Sequence, residues 1–218
     1  MIEKTPAPYS DLEEKWHAFS HGIGAAFGVG ALVTLVILSL RYGDHWDVFS
    51  SIVYSSSIIL MFSASTLYHA AKGERAKAIL KQLDHSAIYS SIAGTYTPFL
   101  LSYFRDSWGW WMFGALWGLT LLGIVLETLY KGRFKKTGLA IHLGMGWAVV
   151  LVAKPMFETV PTGALWLLLA GGLSYTLGVA FYVWKSRPFT HVVWHFFVLA
   201  GAVLHFLSIL LYVAPSGV

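Results

Sequence analysis

The sequence predicts an all-α integral membrane protein with seven transmembrane helices, the N-terminus cytoplasmic and the C-terminus outside. Three observations carry that expectation. Only 12% of the 218 residues are charged while 56% are hydrophobic, and the mean hydropathy is +0.63. A soluble domain carries about 25% charged residues, so the apolar excess here has to face lipid. Seven stretches of at least 17 residues contain no Asp, Glu, Lys or Arg. The basic residues between those stretches fall mostly on alternate connectors. The ten tryptophans and eleven tyrosines suit aromatic belts at the headgroup level.

A helix crosses roughly 30 Å of hydrocarbon with about 20 residues. An Asp, Lys or Arg at its centre costs about 2.5–3.5 kcal/mol on insertion scales, so the charge-free stretches mark the spans. Residues 1–15 are expected to form a polar cytoplasmic tail, and residues 16–218 a single transmembrane domain. Glu3, Asp11, Glu13 and Glu14 are unlike the basic start of a cleavable signal. Span one covers 16–40 and carries His17 and His21 at its start. Span two, 48–71, is rich in serine, as suits a helix packed against other helices. Span three, 85–104, contains Gly94-Thr95-Tyr96-Thr97-Pro98, which reads as a kink able to shape a cavity wall. Span four, 107–126, ends at Glu127, expected to pair with the lysines that follow it. Span five, 137–153, is the shortest, and Pro155 and Pro161 bracket its connector to span six at 159–184. Span seven covers 188–218. The connectors are short and charged, with no room for a soluble domain and no internal repeat.

Orientation follows from the basic residues. Lys4, Lys15, Lys72, Arg75, Lys77, Lys81, Lys131, Arg133, Lys135, Lys136, Lys185 and Arg187 fall on one side of a seven-span chain, and Arg41, Arg105 and Lys154 on the other. The positive-inside rule places the richer side in the cytoplasm. The net charge of +4 is thus a topology signal and argues nothing for nucleic acid.

Ionisable residues within or at the ends of spans are costly, which makes them functional candidates. The topology brings Ser65 and His69 (end of span two), Asp84 and His85 (start of span three) and His191 and His195 (start of span seven) to one depth. His191 and His195 are four apart and share a helix face, as do Ser65 and His69. The chain has no cysteine, so a metal here would use His and carboxylate. His69, His191 and His195 would leave a fourth position open, the arrangement of catalytic zinc sites. Asp84 would hold or deprotonate a water, and Ser65 would orient it or donate to a developing oxyanion. The plainer alternative is that these histidines bond across helix interfaces. His17, His21, His85 and His142 are candidates for a second shell, for cavity lining or for helix caps. His205 lies ten residues past His195, about 15 Å along a helix at 1.5 Å per residue, too far for the same ion. His45 falls in an outside connector and reads as solvated.

Ser65-x-x-x-His69, Leu83-Asp84-His85-Ser86, Gly94-Thr95-Tyr96-Thr97-Pro98 and His191-x-x-x-His195 together resemble the hemolysin III family, bacterial relatives of the progestin and adipoQ receptors. The likeness runs from Ser20-His21-Gly22 to His205. It implies seven helices with a cytoplasmic N-terminus, and zinc on the positions here occupied by His69, His191 and His195. It implies that Asp84 acts through water at the metal and that Ser65 assists. Alkaline ceramidases in the wider superfamily point to hydrolysis of a lipid amide or ester. The expectation is therefore a Zn2+-dependent hydrolase in the bacterial inner (plasma) membrane, with a membrane lipid as substrate or ligand. The alternatives are a non-enzymatic receptor-like regulator or a membrane permeabiliser with a structural zinc. A proton-coupled transporter fits less well, because the spans hold few acidic residues and no paired broken helices.

Overall fold

A computed structural model describes residues 9–130 and 135–214. Most of the expected tail with Lys4, the connector residues Lys131 and Arg133, and residues 215–218 of span seven lie outside the described residues.

The structure is all-helical. Helix α1 runs Asp11–Tyr42 and so begins inside the expected tail. Its start is set by a reciprocal cap: the Glu13 amide donates to Ser10 Oγ at 3.3 Å and the Ser10 amide to Glu13 Oε2 at 3.0 Å. The two side chains satisfy amides that a helix start otherwise leaves unpaired. As a result Glu14 is on the helix, one turn before His17, rather than on a solvated tail.

Helix α2 (His45–Ala70) is capped by Asp44, which accepts from the amides of Trp46 at 2.7 Å and Asp47 at 3.1 Å. The Arg105 guanidinium, from the connector after the third helix, donates to the same carboxylate at 2.6 Å. Burial works against the Asp44 charge, but Arg105 and the capping amides outweigh it and hold the carboxyl below its usual range.

Helix α3 (Glu74–Tyr103) starts well before the expected residue 85. A search for charge-free stretches cannot see such an extension, because the added turns carry Lys77, Lys81 and Asp84. Pro98 lies inside α3 and cannot donate to the Gly94 carbonyl, yet the helix continues to Tyr103. At Gly94 the backbone comes so close to α2 that an added Cβ would stand 2.1 Å from Ser57 Oγ.

Helix α4 runs Gly109–Tyr130. The fifth rod is broken into α5 (Lys135–Gly146), a 3₁₀ turn (Ala148–Val152) and α6 (Ala153–Thr159). It therefore continues beyond the expected end at 153. Pro155 sits in the first turn of α6, where its missing N–H costs nothing, so it starts a helix instead of ending one. Helices α7 (Thr162–Val183) and α8 (Thr190–Tyr212) complete the bundle.

Six rods are long and apolar enough to cross a membrane: α1, α2, α4, the 137–159 rod, α7 and α8. Together with α3 they make seven. Helix α3 falls short on hydropathy because it is rich in Ser, Thr and Tyr, and many of those residues are buried among its neighbours. Large hydrophobic residues such as Leu40, Leu121, Leu151 and Trp166 are exposed on the outer faces instead, as expected where lipid replaces water as the solvent. The chain is a multi-pass membrane protein. Helix α1 packs on α2, α2 on α3, α3 on α4 and α7 on α8, and α8 closes back on α1. Helix α5 leans on α3 and α4 and is tied to α7 by a 3.0 Å hydrogen bond from Trp147 Nε1 to Thr176 Oγ1.

Candidate metal centre and its cavity

The alternating helices put the N-terminal turns of α1, α3 and α8 and the last turns of α2 at one end of the bundle. There His69, His191 and His195 each offer a ring nitrogen, and these atoms lie within 4.8 Å of one another. His69 and His195 are buried and His191 is nearly so. The ring centroids of His191 and His195 are 4.7 Å apart, and each lies 5.2–5.4 Å from that of His69.

The bonds made by the other ring nitrogens decide which atoms are free. His69 Nδ1 lies 2.6 Å from Glu14 Oε2, so it carries the proton and donates, leaving Nε2 for a ligand. His69 Nε2 is buried and has no partner among the described residues. His195 Nδ1 lies 3.1 Å from Ser20 Oγ and 3.2 Å from the His17 carbonyl. Since Ser20 Oγ itself donates to that carbonyl at 3.0 Å, it accepts from His195 Nδ1–H, and Nε2 is again free. His191 Nδ1 is buried without a partner. An orphaned buried nitrogen costs stability unless something binds it. A carboxylate or carbonyl behind each imidazole is the usual outer support of a metal ligand. The donor set thus fits a divalent ion that accepts imidazole nitrogen.

Glu14 and Ser20 supply that outer support, and neither was among the candidate residues. Their signal was present: Glu14, His17 and His21 follow each other at helical spacing. It was hidden by reading the first fifteen residues as tail. Lys77, from the early turns of α3, pairs with Glu14 Oε1 and holds the carboxylate in place.

The remaining candidates divide between two walls. Ser65 and Asp84 interact with each other and line the same cavity as His191 and His195. Asp84 does not join the three histidines in a ligand group. His17 lies beside His69, with ring centroids 4.5 Å apart, and His21 stacks on His195 at 3.6 Å. His85 and His142 line the same cavity, on the wall away from the three-histidine group. His85 Nδ1 is 3.1 Å from Glu127 Oε1, and His142 packs against Tyr89 with ring centroids 4.0 Å apart. Glu127 therefore holds His85; the side chains of the lysines expected to pair with it, Lys131, Lys135 and Lys136, lie outside the described residues. His45 is exposed. His205 Nε2–H donates to the Leu168 carbonyl at 3.1 Å, deep in the bundle and apart from the three-histidine group.

From the histidines a cavity of about 540 Å³ runs into the bundle between α3, α5, α7 and α8. Ligand pockets generally measure about 300–1,000 Å³. Polar groups gather at the histidine end, while Ile92, Leu143, Val179 and Val198 form apolar stretches of its wall.

The matching family model is described as haemolysin-III related and covers residues 9–206, which include every residue of the site. The chain belongs to the haemolysin-III-related family. Within that family it is 40% identical to the Hemolysin-3 homolog of Bacillus subtilis over 92% of this chain and 94% of the relative. It is 39% identical to Hemolysin-3 of Bacillus cereus over 94% of each. The similarity extends to the human Monocyte to macrophage differentiation factor, 30% identical over 86% of this chain and 80% of that one. A rice Heptahelical transmembrane protein ADIPOR2 matches at 27% identity over 69% of this chain and 75% of its own. The haemolysin-III-related chain thus has bacterial relatives and more distant ones in animals and a plant, matched over most of its length.

Proposed function

We propose that this protein is a zinc-dependent hydrolase of a lipid amide or ester, acting in membrane lipid homeostasis from the bacterial plasma membrane. In this reading all seven rods cross the bilayer, with the N-terminus and the histidine end cytoplasmic, as the distribution of basic residues requires. The observation that carries it is the juxtaposition of three imidazoles, with a buried nitrogen unclaimed on His69 and on His191, with the Ser65–Asp84 pair at the head of a long, partly apolar cavity.

His69, His191 and His195 would hold the ion, which when bound supplies Lewis acidity toward a carbonyl and toward water. The residues of the chain do the rest. Apolar walls between α3, α5, α7 and α8 take the acyl chain, which slides in through the thinly bridged α5–α7 seam. Asp84 accepts the proton as water oxygen bonds to the carbonyl carbon. Ser65 Oγ–H donates to the oxygen on which negative charge develops. The C–N or C–O bond then breaks, the leaving amine or alcohol takes the proton from Asp84, and a fatty acid remains.

The test is zinc content and fatty-acid release on the purified protein. Expected are about one zinc per chain in wild type, its loss from the His191→Ala/His195→Ala variant after chelator washing, and lipid turnover abolished in Asp84→Ala with zinc retained. Turnover that survives Asp84→Ala would overturn the mechanism. A second reading draws on the names of the Bacillus relatives: a permeabiliser or receptor-like regulator in which zinc pins α2 to α8. It predicts zinc without turnover on any lipid, and leakage of dye-loaded vesicles in the permeabiliser form.

A further inference from the structure

We infer a second divalent-cation position, formed by Glu14, His17 and His69 on the outer side of the three-histidine site, through which the ion is loaded. The inference extends the proposed function and rests on it in one respect, that the inner three histidines take up a transition-metal cation.

Glu14, His17 and His69 each offer a ligand atom, and these atoms too lie within 4.8 Å of one another. The two sets share His69 and use opposite edges of its ring, so an ion on Nδ1 requires the ring proton to sit on Nε2 instead, and the two positions exclude each other. Glu14 Oε2 approaches Nδ1, while Nε2 is buried and unpartnered. Glu14 Oε1 is taken by Lys77, so Oε2 is the oxygen left for a cation.

The independent observation is His17. Its side chain is fully buried, and neither ring nitrogen has a partner among the described residues. Its Nδ1 lies 3.6 Å from Glu14 Oε2. A residue kept only for orientation would have used one of these nitrogens. The hydrogen bonds at His17 go to its backbone carbonyl, which accepts from Ser20 and His195, while its ring packs against those of His69 and His191 beside the inner site. Burying two unsatisfied ring nitrogens is costly, and a cation shared with Glu14 and His69 relieves one of the two.

The donor chemistry selects the ion. Two imidazoles and one carboxylate suit Zn2+, Co2+ or Ni2+ and disfavour Ca2+ or Mg2+, which prefer oxygen ligands. Because His69 belongs to both sets, one ion occupies one position at a time. Glu14 and His17, on the first turns of α1, receive it, and His191 and His195, on the first turns of α8, retain it.

The experiment is Co2+ binding to metal-stripped full-length protein in detergent micelles, followed by visible absorption and metal content. It compares wild type, an inner-site variant (His191→Ala/His195→Ala) and an outer-site variant (Glu14→Gln/His17→Gln). The inner-site variant is expected to bind one Co2+ per chain, weakly enough to be lost on chelator washing, and adding the outer-site substitutions should abolish this. The outer-site variant is expected to reach one Co2+ per chain at saturating Co2+ but to load measurably more slowly than wild type. His17→Gln keeps much of the volume, and helix content by circular dichroism checks each variant's fold. Two outcomes overturn the inference: an inner-site variant that binds no Co2+ while folded, or an outer-site variant that loads at the wild-type rate. A wild type that holds no ion after washing, beside an inner-site variant that still binds Co2+, would sink the proposed inner site and leave the outer position standing.

Discussion

Ser20 holds no ion in any reading, yet with the His17 carbonyl it fixes which nitrogen of His195 is free. Its hydroxyl donates to the His17 carbonyl and so must accept from His195 Nδ1–H. Ser20→Ala removes that acceptor while leaving the His17 carbonyl still able to hold the ring. Zinc affinity should fall by about 10–100-fold, measured by competition with a chromophoric chelator, while helix content stays unchanged. An unchanged affinity would mean that the carbonyl alone orients the ring. At this scale the histidines were legible, because i,i+4 spacing and depth identify them without a structure. Glu14 was not. Its place on α1 depends on the Ser10–Glu13 cap, and its link to His69 joins residues 55 apart in the chain.

At the scale of single helices, α3 departs most from its expected limits. Its charged first turns extend it beyond the apolar stretch and carry Lys77 to Glu14 and Asp84 to Ser65. Its other end approaches α2 closely at Gly94. An added methyl there would collide with Ser57, whose Oγ would lie 2.1 Å from the new Cβ. Gly94→Ala should therefore destabilise the bundle by about 1–3 kcal/mol, the usual cost of overpacking a tight interface. The readout is the thermal midpoint in detergent, compared with Gly114→Ala, where nothing lies within 4 Å of the added carbon. Equal midpoints for the two variants would show that α2 and α3 can separate freely. The glycine and the proline are visible in the sequence as an irregularity in the third span. That the glycine serves a close approach of helices follows from where α2 lies.

At the scale of the whole molecule, the centre ties distant parts of the chain together. His69 ends α2, His191 and His195 begin α8, and Glu14 and Ser20 brace them from α1. A ligand that binds the folded state and not the unfolded one stabilises it by about 2.7 kcal/mol at a hundred times its Kd. Saturating zinc should thus raise the thermal midpoint of the stripped protein, and the rise should shrink in the His191→Ala/His195→Ala variant, which keeps only the weaker outer position. An equal rise in that variant would place the stabilising ion outside this centre.

The sequence by itself determined the membrane character, the number of helical rods and which histidines share one end, and its motifs already resembled the haemolysin-III-related family. Those features follow from composition, periodicity and the cost of charge in lipid, all of which are local along the chain. The tertiary structure decided which ring nitrogens are free, that Glu14 and Ser20 support them, and that His85 and His142 belong to the opposite wall with Glu127. It also decided that His17 is buried beside His69 with both nitrogens unclaimed. These depend on the rotation of each helix about its axis and on contacts between residues far apart in the chain. Charge-free length fixes that a helix crosses the membrane; it does not fix which of its faces meets which neighbour.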